Sequence, residues 1–234
     1  MPQHISHEFE QELSQLKSLI LKLSGQVEEN LKSSIQALVE RDVDLANRTI
    51  AQDHIANRLD VEIDEMAIRL LALRQPAGSD LRLVMTAIKI ATDLERMGDL
   101  SVNICERAID LSKEPPLKPL TQIQTMAMAA LALIDKAMTS FIAQDIELAL
   151  EVCRRDEEVD HHFTAIQREL LTYMLEDPRS IRQALALISV AKNLERAADH
   201  ATNIAELVLY MVKGKVIRHT DPATMAQEVH RIAK

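Results

Sequence analysis

The strongest constraint on the fold is an internal repeat, in which residues 88–106 recur at 188–206 without a gap. The two stretches, IKIATDLERMGDLSVNICE and ISVAKNLERAADHATNIAE, are identical at nine of nineteen positions. A repeat at a fixed offset predicts one structural unit built twice. The shared pattern, L-E-R-x-x-D-x-x-x-N-I-x-E, retains carboxylates together with core residues. The sequence therefore predicts the same polar cluster in both copies.

Composition and apolar spacing favour an all-α fold. Apolar residues make up 47% of the 234 residues, with only four glycines and no Trp. Apolar residues recur at helical spacing between short breaks that contain Pro, Gly or a charged pair. These breaks predict six long helices, over residues 7–39, 43–74, 80–112, 120–142, 145–175 and 180–212. Short connections between them predict two antiparallel three-helix bundles in tandem, at 7–114 and 118–214, followed by a C-terminal tail at 215–234.

The repeated carboxylates share one side of their helix with apolar residues. At about 100° per residue, Glu95 and Asp99 align with Leu81 and Ile88. The opposite side is also apolar, so we expect a central helix that is buried nearly all round. Carboxylates inside an apolar stripe, away from solvent, need an ion-pair partner or a bound metal.

Further acids lie on the helix before each repeated stretch. Folding the helical hairpins about their breaks brings Asp60 level with Glu95, and Asp160 level with Glu195. Asp53 is another spaced acid of the first unit. The predicted ligands in the first unit are Asp60, Asp64, Glu95, Asp99 and Asn103, and those in the second are Asp156, Asp160, Glu195, Asp199 and Asn203.

Four neighbouring carboxylates cannot all remain ionised unless a cation lies among them. Oxygen ligands without thiolates suit Mg²⁺, Mn²⁺, Ca²⁺ or iron better than a structural zinc. The expected cofactor is a divalent or trivalent ion (Mg, Mn, Fe or Zn), bound singly or in clusters.

Two alternatives to these metal sites remain open. The acids can form ordinary ion pairs with nearby bases such as Arg96, Arg196 and Lys192. The segment from Glu158 to His161 also matches the Glu-x-x-His element of di-iron bundles, which makes a metal-dependent enzyme of that type the alternative function. That fold needs a second copy of the element, which the sequence lacks, and we expect no catalytic residues and no enzyme.

Net charge and cysteine content bound the location and partners. A formal charge of −9 disfavours nucleic acid as a partner. Cys105 and Cys153 fit free thiols of a reducing compartment. The polar start MPQHISHEFEQEL has no signal-peptide pattern, and the longest apolar run, residues 126–134, is too short to span a bilayer. We expect a cytoplasmic protein that reaches a membrane only through partners.

Several segments resemble the PhoU family of bacterial phosphate-signalling regulators. They are LERMGD at 94–99 and LERAAD at 194–199, RQPAGSDLRLV at 74–84, and LTYMLED at 171–177. The resemblance covers residues 8–219 and implies two three-helix bundles, often as a homodimer, with metal clusters held by the motif acids. One departure is Ala198, which stands where the first copy has Gly98 and implies that the second site is tighter or differently loaded.

The resemblance also implies a role and partners. PhoU-like proteins repress the phosphate-starvation (Pho) regulon when phosphate is plentiful, and they modulate phosphate uptake. They act as adaptors between the ATPase subunit of the phosphate ABC transporter and the PAS-bearing sensor histidine kinase of a two-component system.

Overall fold

A computed structural model describes residues 2–117 and 120–215, with side chains from residue 7 onwards. This part of the chain contains six α-helices, one short 3₁₀ turn and no strand. The elements are α1 Pro2–Glu40, α2 Val43–Arg74, α3 Ser79–Leu111, α4 Leu120–Ala143, α5 Ile146–Glu176, the turn Pro178–Ser180, and α6 Ile181–Lys213. The predicted six-helix all-α fold is confirmed, although α1 begins earlier than residue 7. The predicted tail lies outside the described residues from 216 onwards.

The first joint of each repeat is built in the same way. Arg41 ends α1 at φ 59° and Gln144 follows α4 at φ 53°, both in the left-handed region. The next residue, Asp42 or Asp145, accepts a hydrogen bond from the backbone N–H three residues on, at 2.8 Å and 3.1 Å. Each aspartate caps the following helix. The equivalence extends the repeat to the outer helices, where positions correspond at an offset of 103 residues.

The joint between α2 and α3 turns at a glycine, and α3 begins at Ser79. Its N-cap is Gly78, at φ 58° and without a side-chain hydrogen bond. Such a φ favours glycine, which explains this sharp turn. Helix α6 also ends at a glycine, since Gly214 adopts φ 71°.

The two repeats meet along α3 and α6, which pack against each other. Nε of Arg82 donates to the carbonyl of Met211 at 2.9 Å, and Nδ1 of His200 lies 2.8 Å from Oδ1 of Asp93. Residue numbers rise on one helix as they fall on the other, so the helices are antiparallel. Helices α1 and α2 pack on α3, while α4 and α5 pack on α6, and one apolar core runs through both repeats.

The position of the carboxylate stripe corrects one expectation. The opposite side of α3 is buried as predicted, at Leu83, Ile90, Leu94, Met97, Ile104 and Ala108. The stripe itself is not buried: Leu81 is 39% exposed, and Asp99 is exposed. The physical reason is that α3 packs against α1, α2 and α6, which leaves one side of the helix open. Glu95 and Asp99 therefore lie at the edge between α2 and solvent.

Helix α4 is long and apolar enough to cross a membrane by length and composition, with a mean hydropathy of 1.5 over its most apolar window. Half of that window is buried inside the structure, where α4 packs on α1, α5 and α6. Buried core helices commonly show such values, so α4 is weak evidence for a membrane span.

Candidate metal-binding clusters

The first acidic cluster consists of Asp53 and Asp60 from α2 and Glu95 and Asp99 from α3. Burial raises the pKa of Glu95, and the charges of Asp99, Asp60 and Asp53 raise it further. The pKa of Asp53 is also raised, first by burial and then by Asp99. Glu95 therefore lies close enough to the other three carboxyl groups for their negative charges to act on it.

Asp53 replaces Asp64 in the set that sequence spacing predicted. An added Cβ on Gly98 would lie 3.2 Å from Oδ1 of Asp53, so Asp53 reaches the backbone of α3 directly beside Asp99. Asp64 affects the pKa of Asp60, one turn away on the same helix, but is not among the groups that shift Glu95. The spacing placed Asp60 correctly, while the helix crossing brings in the residue two turns before it.

The second acidic cluster consists of Asp156 and Asp160 from α5 and Glu195 and Asp199 from α6. Burial raises the pKa of Asp156 to about 6, with further contributions from Asp199, Asp160 and Glu195. The pKa of Asp199 is raised by burial and by Glu195. The four carboxylates that were predicted as ligands in this repeat therefore lie close enough to affect one another. The two predicted amides, Asn103 and Asn203, are exposed one turn farther along α3 and α6.

Several carboxylate oxygens in the clusters are buried without a hydrogen bond. They are Oδ1 of Asp53, Oδ1 of Asp60 and Oε2 of Glu195. A buried, unpaired carboxylate oxygen is costly, and a cation is one group that would satisfy it. The donor set consists of hard oxygens, which suits Mg²⁺, Mn²⁺ or iron.

The acids are not arranged around one point. Among residues 2–117 and 120–215, no three His, Cys, Asp or Glu side chains form a group ready to hold a metal ion. Each cluster thus has donor groups of the right chemistry, and an ion would need side-chain rotation to bring three of them together.

The ion-pair alternative applies to one of these acids. Nζ of Lys192 lies 2.5 Å from Oε1 of Glu195, in the second cluster. Arg107, by contrast, pairs with Glu106 and Asp110, outside the clusters. In the part of the chain that the structure describes, no salt bridge joins Arg96 or Arg196 to a cluster acid.

The di-iron alternative receives no support from geometry. Glu158 and His161 are both exposed, and Glu158 pairs with Arg155 at 3.1 Å. Glu158 is not among the groups that shift the pKa of Asp156 or Asp199. Within this segment only Asp160 contributes to the second acidic cluster, and Glu158 pairs with Arg155 instead.

Comparison with known proteins agrees with the repeat. The PhoU domain family matches this chain twice, over residues 20–108 and 123–208. The chain belongs to the PhoU family. A relative from Pseudomonas putida, named a phosphate-specific transport system accessory protein PhoU homolog, is 39% identical over 98% of this chain and 90% of its own length.

Solved PhoU structures show the same fold. The crystal structure of PhoU from Pseudomonas aeruginosa has a TM-score of 0.85 at 38% identity, covering 88% of this chain and 100% of that one. A second, the phosphate transport system regulatory protein PhoU from Streptococcus pneumoniae, has a TM-score of 0.84 at 30% identity, covering 89% and 99%. PhoU proteins bear the names of accessory and regulatory proteins, which confirms the expectation that this chain is not an enzyme.

Proposed function

We propose that this PhoU-family protein is an accessory and regulatory protein of phosphate transport in the cytoplasm. It represses the phosphate-starvation response when phosphate is plentiful, and it modulates phosphate uptake. It does so as an adaptor between the ATPase subunit of the phosphate ABC transporter and the sensor histidine kinase. The support for this role is the family match over both repeats and over nearly the whole chain.

We further propose that the two acidic clusters bind metal ions. The observation that carries this proposal is the pair of four-acid clusters, at equivalent places in the two repeats, with carboxylate oxygens that are buried and unpaired. Asp53, Asp60, Glu95 and Asp99 would hold ions in the first cluster, and Asp156, Asp160, Glu195 and Asp199 in the second. A bound ion would neutralise the cluster and offer its open coordination positions to carboxylate or phosphate groups of a partner.

The role is tested in a deletion strain assayed for alkaline phosphatase in high phosphate. Loss of the protein should make expression constitutive, and the wild-type gene should restore repression. Normal repression in the deletion strain would contradict the regulatory role. A pull-down with the ATPase subunit and the kinase then tests the adaptor role directly.

The contribution of the clusters is tested with the double variant Glu95→Ala, Glu195→Ala, which is assayed for metal binding and in the pull-down with both partners. We expect this variant to lose both metal binding and partner capture. A matched control, Glu29→Ala with Asp135→Ala, removes two exposed acids from α1 and α4 and should behave as wild type. If the cluster variant loses its metal but still captures both partners, the ions do not mediate binding.

A further inference from the structure

The two acidic clusters differ at the residue three positions before the repeated glutamate. Lys192 on α6 corresponds in the repeat to Thr92 on α3. The ammonium group of Lys192 lies 2.5 Å from Oε1 of Glu195, whereas Thr92 is exposed and donates its hydroxyl to the carbonyl of Ile88 at 3.1 Å. The second cluster therefore contains its own positive charge, and the first cluster has threonine at that place.

The clusters also differ in an aromatic residue, Phe163, which holds Lys192 in position. Its ammonium lies 5.5 Å from the centre of the Phe163 ring, within the range of a cation–π contact. The equivalent residue in the first repeat, at the offset of 103 residues, is Asp60, a member of the first cluster. In the first repeat this position therefore places the carboxylate of Asp60 near Glu95. In the second repeat it places the ring of Phe163 beside Lys192.

The aspartates differ in a compensating way. Asp160 occupies the place of Asn57, which donates to Oδ2 of Asp53 at 3.1 Å in the first repeat. Each cluster therefore contains four acids. In the second, Lys192 forms a salt bridge with Glu195, whereas in the first the charge of Arg96 acts on Glu95 without a salt bridge. A cation that enters the second cluster can reach Oε2 of Glu195, which is buried and unpaired, but it is repelled by the ammonium of Lys192 on Oε1.

We infer that the two clusters bind cations with different affinities, and that Lys192 sets the difference through the positive charge that it places beside Glu195. The first cluster fills first. The second fills only when the cation concentration is high enough to overcome repulsion by the ammonium of Lys192. This inference rests on the proposed function, because it assumes that both clusters bind metal ions. It makes the protein a sensor with two thresholds for one ion.

The test is a Mn²⁺ titration of the purified full chain after removal of metals with EDTA, with free Mn²⁺ followed by electron paramagnetic resonance. We expect wild-type protein to show two classes of site, whose dissociation constants differ by about tenfold or more. Glu95→Ala should remove the tighter class and Glu195→Ala the weaker one. These assignments fix which isotherm belongs to which cluster.

Exchange of the two differing residues supplies the decisive variants. Lys192→Thr should tighten the weaker class by about tenfold, towards the affinity of the first cluster, and Thr92→Lys should weaken the tighter class by a similar factor. Lys32→Thr and Thr139→Lys make the same charge changes at exposed positions on α1 and α4, and should leave both classes unchanged. Circular dichroism melting curves check that each variant is folded, and Lys192→Met replaces Lys192→Thr if the threonine variant is not.

Two results distinguish failure of this inference from failure of the proposal that the clusters bind metal ions. If wild-type protein binds Mn²⁺ at two indistinguishable sites, or if folded Lys192 variants leave the isotherm unchanged, the inference is overturned and the metal-binding proposal stands. If wild-type protein binds no Mn²⁺ at millimolar concentration, the metal-binding proposal itself fails.

Discussion

Nδ1 of His200 on α6 donates a hydrogen bond to the carboxylate of Asp93 on α3, across the boundary between the two repeats. The two atoms are 2.8 Å apart, and the side chains are only 11% and 15% exposed. An ionised carboxylate can only accept, so the contact fixes the proton of the imidazole on Nδ1. Together with the hydrogen bond from Arg82 to Met211, this contact adds polar interactions to the mainly apolar packing of α3 on α6.

Removal of one partner should destabilise the protein. Asp93→Ala leaves the buried imidazole N–H of His200 without an acceptor, which costs about 1–3 kcal/mol of unfolding free energy. Urea denaturation followed by circular dichroism measures the change. The control Asp135→Ala removes an exposed aspartate from α4 and should change stability by less than about 0.5 kcal/mol. Equal effects of the two substitutions would show that the contact contributes nothing.

Metal-free protein should lose stability as the pH rises towards 6. Asp156 has an ordinary pKa of 3.8, which the folded state raises to about 6, so the native protein binds the extra proton between these values. Stability is therefore greatest below about pH 4 for this group and falls as pH rises through 6. A shift of this size corresponds to at most about 3 kcal/mol, and solvent screening reduces it to about 1–2 kcal/mol.

The measurement compares urea unfolding of wild-type protein and Asp156→Asn in EDTA at pH 4.5 and pH 7. The amide does not titrate, so the variant should lose less stability over this range. The raised pKa values of Asp53, Asp60, Glu95 and Asp199 act in the same direction and leave a residual slope. Identical slopes for the two proteins would contradict the raised pKa of Asp156.

Two glycines within helices should respond differently to alanine. Gly25 on α1 has no atom within 4 Å of an added Cβ, so Gly25→Ala should stabilise the protein by about 0.5–1 kcal/mol through helix propensity. On Gly98 the added Cβ would lie 3.2 Å from Oδ1 of Asp53 and would push this carboxylate away. We expect Gly98→Ala to gain less stability and to weaken Mn²⁺ binding at the first cluster severalfold, whereas Gly25→Ala leaves binding unchanged. Thermal melting and the Mn²⁺ titration measure the two effects, and equal binding by both variants would contradict the close approach of Asp53.

The two left-handed joint residues provide another matched pair. Gln144→Gly removes the cost of a side chain at φ 53° and should stabilise the protein by about 0.5–1 kcal/mol. Arg41→Gly removes the same strain but also deletes the hydrogen bonds from Nη2 to the carbonyls of Ser112, at 2.7 Å, and Glu114. Those bonds tie the α1–α2 joint to the segment after α3, so this variant should be destabilised by about 1–2 kcal/mol. Urea midpoints measure both, and a stabilised Arg41→Gly would show that these bonds are dispensable.

The helices could be predicted from the sequence because apolar spacing and turn residues are local signals. The breaks at residues 75–80 and 177–180 were visible for this reason. The burial of the carboxylate stripe could not be predicted, because apolar residues such as Leu81 and Ile88 align with Glu95 whether that side is covered or open. The arrangement of α1, α2 and α6 around α3 decides it, and this is a tertiary property.

The sequence predicted the positions of the cluster acids along their helices to within one or two helical turns. Counting residues from the hairpin placed Asp60 beside Glu95, but the crossing of α2 over α3 selects Asp53 instead of Asp64. The signal for Asp53 was present in the repeat, since Asp53 and Asp156 correspond at the same offset of 103 residues as the caps Asp42 and Asp145. The outer helices thus follow an offset of 103 residues, whereas α3 and α6 follow an offset of 100.

The antiparallel contact of α3 and α6 has a geometric consequence for any molecule that approaches the clusters. A half-turn that exchanges two antiparallel helices must have its axis perpendicular to the plane they share, so both clusters point to the same side. A partner that approaches from that side therefore meets nearly the same arrangement of acids in two orientations, related by a half-turn. Lys192 beside Phe163, present in the second cluster alone, distinguishes the two halves for such a partner.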